Sequence, residues 1–95
     1  MKLKWVWGLI EPALVILAKR ALDSKDTSYF MDVALVRTDQ ASGKIEFDMR
    51  LRACFDGDKI TDMDCVNISR KRFIVATVED GIIKLYSISF ENGST

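Results

Sequence analysis

Four aspartates, Asp56, Asp58, Asp62 and Asp64, stand close together in a chain of 95 residues, and carboxylate oxygens gathered this way are the ligand type of a hard divalent cation. Their spacing is not that of a calcium-binding loop. Asp56 and Asp58 fall in an expected turn at Asp56 to Lys59, where aspartate side chains bond the backbone, while Asp62 and Asp64 share one solvated strand face. No metal site is expected. Ser69, Arg70, Lys71 and Arg72 are the only basic run, and with Arg50 and Arg52 they have the makings of a phosphate-binding patch. No aromatic side chain is interleaved with them to stack on bases, so nucleic acid is not the expected partner.

The chain has no histidine, which removes the commonest general base and the commonest transition-metal ligand together. No glycine-rich phosphate loop, nucleophile elbow or metal-ligand spacing replaces it. The expectation is a non-enzymatic protein without a cofactor. Cys54 and Cys65 flank the turn at Asp56 to Lys59, and pairing outward from that turn leaves them about 3 residues out of register, so free structural thiols and a reducing, cytoplasmic compartment are expected, with a disulfide as the alternative. Fourteen basic residues balance fourteen acidic ones. A chain without net charge has no long-range field for nucleic acid or an anionic membrane and little self-repulsion, which favours self-association.

The residues with the strongest binding chemistry are Trp5 and Trp7, since tryptophan is enriched in the anchors of protein interfaces and at membrane surfaces. Arg50 and Arg52 lie in a ladder of mixed charge with Lys44, Glu46 and Asp48, which fits polar recognition of another protein. Trp5, Trp7, Arg50 and Arg52 are therefore the expected interaction residues. Lys2 and Lys4 alternate with the tryptophans, and attachment to a membrane surface through this terminus is an alternative.

The elements that must position these residues follow from periodicity. Pro12 fits the first turn of a helix, and Ala13 to Ala18 are apolar on every side, so the sequence predicts a helix over residues 11–22 that is buried on more than one face. A short edge strand over residues 2–7 precedes it, or else the helix begins at Leu3 and kinks at Pro12. The apolar stretch is too short, and too interrupted by Glu11 and Pro12, for a membrane span, and it lacks the cleavage pattern of a signal peptide.

From Tyr29 the pattern changes to strands. Tyr29 to Val36 alternates; Ile45, Phe47, Met49, Leu51, Ala53 and Phe55 form one face of the next strand; Ile60 to Ile68, Phe73 to Val78 and Ile82 to Phe90 follow. Asp80 and Gly81 are the signature of a two-residue hairpin turn of the primed type. Five strands joined by tight turns predict an antiparallel meander with the helix across its apolar face, a single α+β domain over residues 1–95. Asn92 to Thr95 reads as a frayed tail.

Ile60 to Ile88 resembles three strands of a WD40 propeller blade, with Asp80 and Gly81 at the usual turn and Tyr86 where that family prefers tryptophan. The family's Gly-His and Trp-Asp pairs are absent, and a propeller needs about four or more blades, so the likeness implies two hairpins. Gly8 to Ala18 resembles the start of type IV pilin-like subunits, where glycine precedes an apolar helix with an early glutamate; here Pro12 and Lys19 depart from the pattern.

The expected function is a protein-binding module, homo-oligomeric, acting as a small adaptor or inhibitor. A second expectation, from a different class, is a small-ligand pocket or enzyme site between helix and sheet, lined by Tyr29, Phe47, Phe55 and Phe73.

Overall fold

The apolar run after Pro12 is a strand. In the computed structural model, which describes residues 1–21, 27–56 and 59–90, seven strands account for the regular structure of the described residues: β1 (Lys2–Val6), β2 (Ala13–Ala21), β3 (Thr27–Thr38), β4 (Ile45–Asp56), β5 (Ile60–Ser69), β6 (Arg72–Glu79) and β7 (Ile82–Ser89). They form two antiparallel sheets, β1-β2-β3-β4 and β5-β6-β7. The expected α+β fold is thus corrected to all-β, and β2 stands where the helix over 11–22 was expected. No helix among the described residues is long and apolar enough to cross a membrane.

The physical reason lies in what flanks β2. A run that is apolar on every side fits either a helix buried all round or a central strand sheltered by its neighbours, and periodicity alone does not separate them. Here β1 pairs on one side, from Lys2↔Leu17 to Val6↔Ala13, and β3 on the other, from Ala13↔Leu35 to Ala21↔Thr27. Both rows of backbone groups are used by neighbouring strands. Pro12 stands just before the strand, where its missing donor weakens no ladder. Its carbonyl accepts a hydrogen bond from the Val36 amide at 2.9 Å.

The five runs predicted from Tyr29 onward are β3 to β7, but they do not make one meander. The chain leaves the first sheet after β4 and starts the second at β5. The turn expected at Asp56 to Lys59 includes residues 57 and 58, which lie outside the described residues, as do residues 22–26 and the tail beyond residue 90. A single core joins the sheets: Val15, Leu17, Met31 and Val33 from the first meet Ile60, Met63, Phe73 and Val75 from the second. Along one seam β1 lies against β5, where Lys2 and Lys4 reach Asp62 and Asp64 at 3.4 and 3.7 Å. At the β6–β7 hairpin both Asp80 (φ 51°) and Gly81 (φ 78°) have positive φ, as a type I′ turn requires.

One irregularity decides what the first sheet shows to solvent. In the β3–β4 ladder Val33 is opposite Leu51, but the next residue, Ala34, is opposite Met49, so Arg50 is an extra residue in β4. A bulge of this kind turns every side chain beyond it to the other face. Ala53 and Phe55 pack against the core, whereas Ile45, Phe47 and Met49, predicted for the same face, are outside and exposed.

Candidate protein interaction face

Directly opposed residues of neighbouring strands project to the same side of a sheet, so the register reads out the outer face of the first sheet in rows. One row is Leu3, Ile16, Asp32 and Arg52; the next is Trp5, Leu14, Ala34 and Met49; Val36 and Phe47 follow, then Thr38 and Ile45. Leu14 and Ala34 in the middle of the second row are buried, while the ends stand out: Trp5 is 46% exposed, Met49 52%, Phe47 60% and Ile45 62%. Just beyond β1, Trp7 stacks on Trp5 with ring centroids 5.4 Å apart and planes 17° from parallel, and is itself 64% exposed.

Within this apolar face lies a well-made charge pair. Arg52 donates two hydrogen bonds to Asp32, Nε to Oδ1 and Nη2 to Oδ2, both 2.7 Å. Its guanidinium sits 4.7 Å from the centre of the Phe30 ring. Asp32 is only 4% exposed, and a carboxylate so placed needs the bidentate partner. The pair adds no net charge to the face.

Of the four residues expected to bind, Trp5, Trp7 and Arg52 share this face. Arg50 does not join them. As the bulge residue it pairs with Asp48 at 3.2 Å and lines a cleft of about 390 Å³ with Leu51, Ser87, Ile88, Ser89 and Phe90, where β4 and the end of β7 draw near.

The pocket expected between helix and sheet has no helix to form it. Tyr29 and Phe55 are opposite each other in the β3–β4 ladder and pack against the core that holds the fully buried Phe73, whereas Phe47 is on the outer face. Phe55 instead meets Tyr86 edge to face, 5.6 Å between centroids.

Several titratable groups of the described residues make defined contacts. Glu79, buried at the end of β6, has its Oε2 bonded by the Thr77 hydroxyl at 2.5 Å and the Tyr86 hydroxyl at 2.6 Å, with Lys84 3.5 Å from Oε1. Burial opposes its ionisation, but these donors and the lysine charge outweigh burial and hold the carboxyl below its ordinary value. Burial, helped by the Asp64 charge, pushes the Cys65 thiol up to about 11, far from the thiolate a nucleophile needs. Cys54 is exposed, and both cysteines are free. Asp62, of the acidic group, is held below the ordinary carboxylate range first by the Met63 amide and then by Lys2. Among the described residues no three acidic or thiol groups converge as metal ligands.

No protein-family model, curated protein or solved structure matches the chain.

Alternation along β4 hid half of this face, because the extra residue at Arg50 carries no signal of its own. A signal did exist in the length of β4, 12 residues, about twice the usual strand, since long strands tend to be interrupted. Asp32, alone among Met31, Val33, Ala34 and Leu35, was likewise a mark of a buried charge with a partner.

Proposed function

We propose that this domain is a non-enzymatic protein-association module, and that a second copy of the chain covers the outer face of its first sheet. The observation that carries the proposal is the extent of exposed apolar surface. Buried aromatic side chains cover ~150–250 Å² each, so Trp5, Trp7, Phe47, Leu3, Ile45 and Met49 at their exposures offer on the order of 700 Å², near the ~800 Å² per partner of a standard interface. That exceeds the ~300–600 Å² of the largest patch on an ordinary monomer. Neutrality supports self-association: the chain has no net charge, and the Arg52–Asp32 pair on the face is internally satisfied. Two such faces stacked about a two-fold axis form an isologous contact between aligned sheets.

Free thiols fit a reducing compartment such as the cytoplasm. Attachment to a membrane is less well supported, because Lys2 and Lys4, which would face the lipid headgroups, are engaged by Asp62 and Asp64.

Sedimentation equilibrium tests the proposal. The wild-type chain is expected to associate, and Trp5→Ser with Phe47→Ser is expected to lower the size of the assembly while leaving the far-ultraviolet dichroism of the sheets intact. A wild-type chain that remains a monodisperse monomer at high concentration would overturn it.

A further inference from the structure

The two sheets described have four edge strands, each with a row of backbone donors and acceptors able to pair with another chain, and proteins blunt such edges with charge, bulges or cover. Three of the four are blunted here. The β1 edge is five residues long and carries Lys2 and Lys4, both tied across to β5. The β5 edge carries Asp62 and Asp64, the other ends of those ties, and its ladder with β6 is interrupted twice, between Ile60 and Asp62 and between Asn67 and Ser69. The β4 edge contains the bulge at Arg50 and the charges of Glu46, Asp48, Arg50 and Arg52.

Among the described residues the β7 edge is the least blunted, with no bulge and one lysine. Its ladder with β6 runs unbroken from Glu79↔Ile82 to Arg72↔Ser89, and Ile83 and Leu85 stand 71% and 67% exposed on its outer side. Its single charge, Lys84, is turned to the buried Glu79.

We infer that β7 is a second association site, at which the β7 strand of another copy adds antiparallel to this edge and the two three-stranded sheets become one of six strands. Charge selects the second copy as occupant. Antiparallel self-pairing centred on Leu3 sets lysines against lysines at β1 and centred on Met63 sets aspartates against aspartates at β5, whereas at β7, in a register centred on Leu85, each Lys84 comes opposite a Tyr86. Leu85 then meets its own counterpart, and Ile83 comes opposite Ser87. A partner chosen by charge would find on this strand only Lys84, already drawn to Glu79, while an identical strand offers the same β-branched and aromatic residues that favour cross-strand pairing. This site is independent of the face built around Trp5 and Phe47. With both in use, two different two-fold contacts on each chain produce assemblies larger than a dimer.

Sedimentation of four proteins separates the two sites: wild type, Leu85→Lys, the Trp5→Ser/Phe47→Ser pair, and all three changes together. All three positions being exposed, these variants keep the fold, which thermal melting verifies. Wild type is expected to exceed a dimer, Leu85→Lys and the face variant each to stop at a dimer, and the triple variant to be a monomer. In a Cys54→Ser/Cys65→Ser background, Leu85→Cys is expected to cross-link to its counterpart on mild oxidation, and Ile82→Cys is not. If Leu85→Lys leaves the assembly unchanged, or Leu85→Cys does not cross-link, the β7 site is overturned whatever happens at the face. If the face variant is indistinguishable from wild type while Leu85→Lys yields a monomer, the face proposal fails and β7 stands.

Discussion

Arg52 clamps Asp32 across the β3–β4 ladder through two parallel hydrogen bonds of 2.7 Å, and the two differ sharply in exposure: the carboxylate is buried, and the guanidinium is about half open to water. Removing one partner of such a pair is worse than removing both, because the buried member is left charged and unmatched. Arg52→Gln is therefore expected to lower the urea midpoint more than Asp32→Asn combined with Arg52→Gln. The double-mutant cycle should give a favourable coupling between the two; strictly additive effects would show that the clamp contributes no pairwise stability.

Glu79 makes stability depend on pH in a stated direction. Its folded-state carboxyl is held below the ordinary value of 4.5, so the ionised form is favoured by folding. The stabilisation is fully present above the unfolded pKa and is lost as pH falls through the folded one. Asp39, bonded by the Ser42 hydroxyl and the Ala41 amide, and Asp62 shift the same way. The melting temperature is expected to decline from about pH 5 downward, and Glu79→Gln to flatten that decline while costing roughly 1–3 kcal/mol near neutrality through disrupted buried partners. A melting curve rising toward low pH would contradict the assignment.

Gly8 joins β1 to the loop that docks on the β5–β6 turn, where the Ile10 amide bonds the Arg70 carbonyl at 2.9 Å. Its φ is +90°, and an added Cβ would come within 3.2 Å of the Asn67 Oδ1 atom. Strain and crowding act together, so Gly8→Ala is expected to cost about 1–3 kcal/mol. Gly43, also at positive φ but with open space around it, provides the comparison: its alanine variant meets the backbone penalty alone. Equal losses in thermal melts would mean that the Asn67 contact is immaterial.

The chain has two tryptophans, Trp5 and Trp7, and both lie on the outer face of the first sheet in contact with each other. Covering that face by a second copy transfers both indoles from water to an apolar setting at once. Emission is expected to move to shorter wavelength as protein concentration rises, following the same isotherm as sedimentation in Leu85→Lys, where the face is the contact that remains, and to stay fixed in Phe47→Ser if that substitution prevents stacking. A constant wavelength across the association range would place the contact elsewhere.

Strand positions from β3 to β7 were legible because alternation and turn chemistry are local: Asp80 and Gly81 fix their hairpin by what their own backbones tolerate. The nature of β2 was not, because Ala13 to Ala18 carry the same apolar pattern in a buried helix as in a central strand flanked on both edges, and the choice belongs to β1 and β3. Sheet partition was equally out of reach, since nothing local to β4 or β5 states which edge each joins. Trp5, Trp7 and Arg52 could be picked by residue type, but their sharing of one face with Phe47 depended on a register that only pairing with β3 defines.

The bulge at Arg50 places that dependence in a single codon. With the extra residue, β4 hides Ala53 and Phe55 and shows Met49, Phe47 and Ile45; without it, strict alternation would carry the last three inward and bring Glu46 and Asp48 outward. An in-frame loss or gain of one residue here would interchange a greasy surface and an acidic one without altering any other amino acid. The association proposed for this chain is thus a matter of phase as much as of composition.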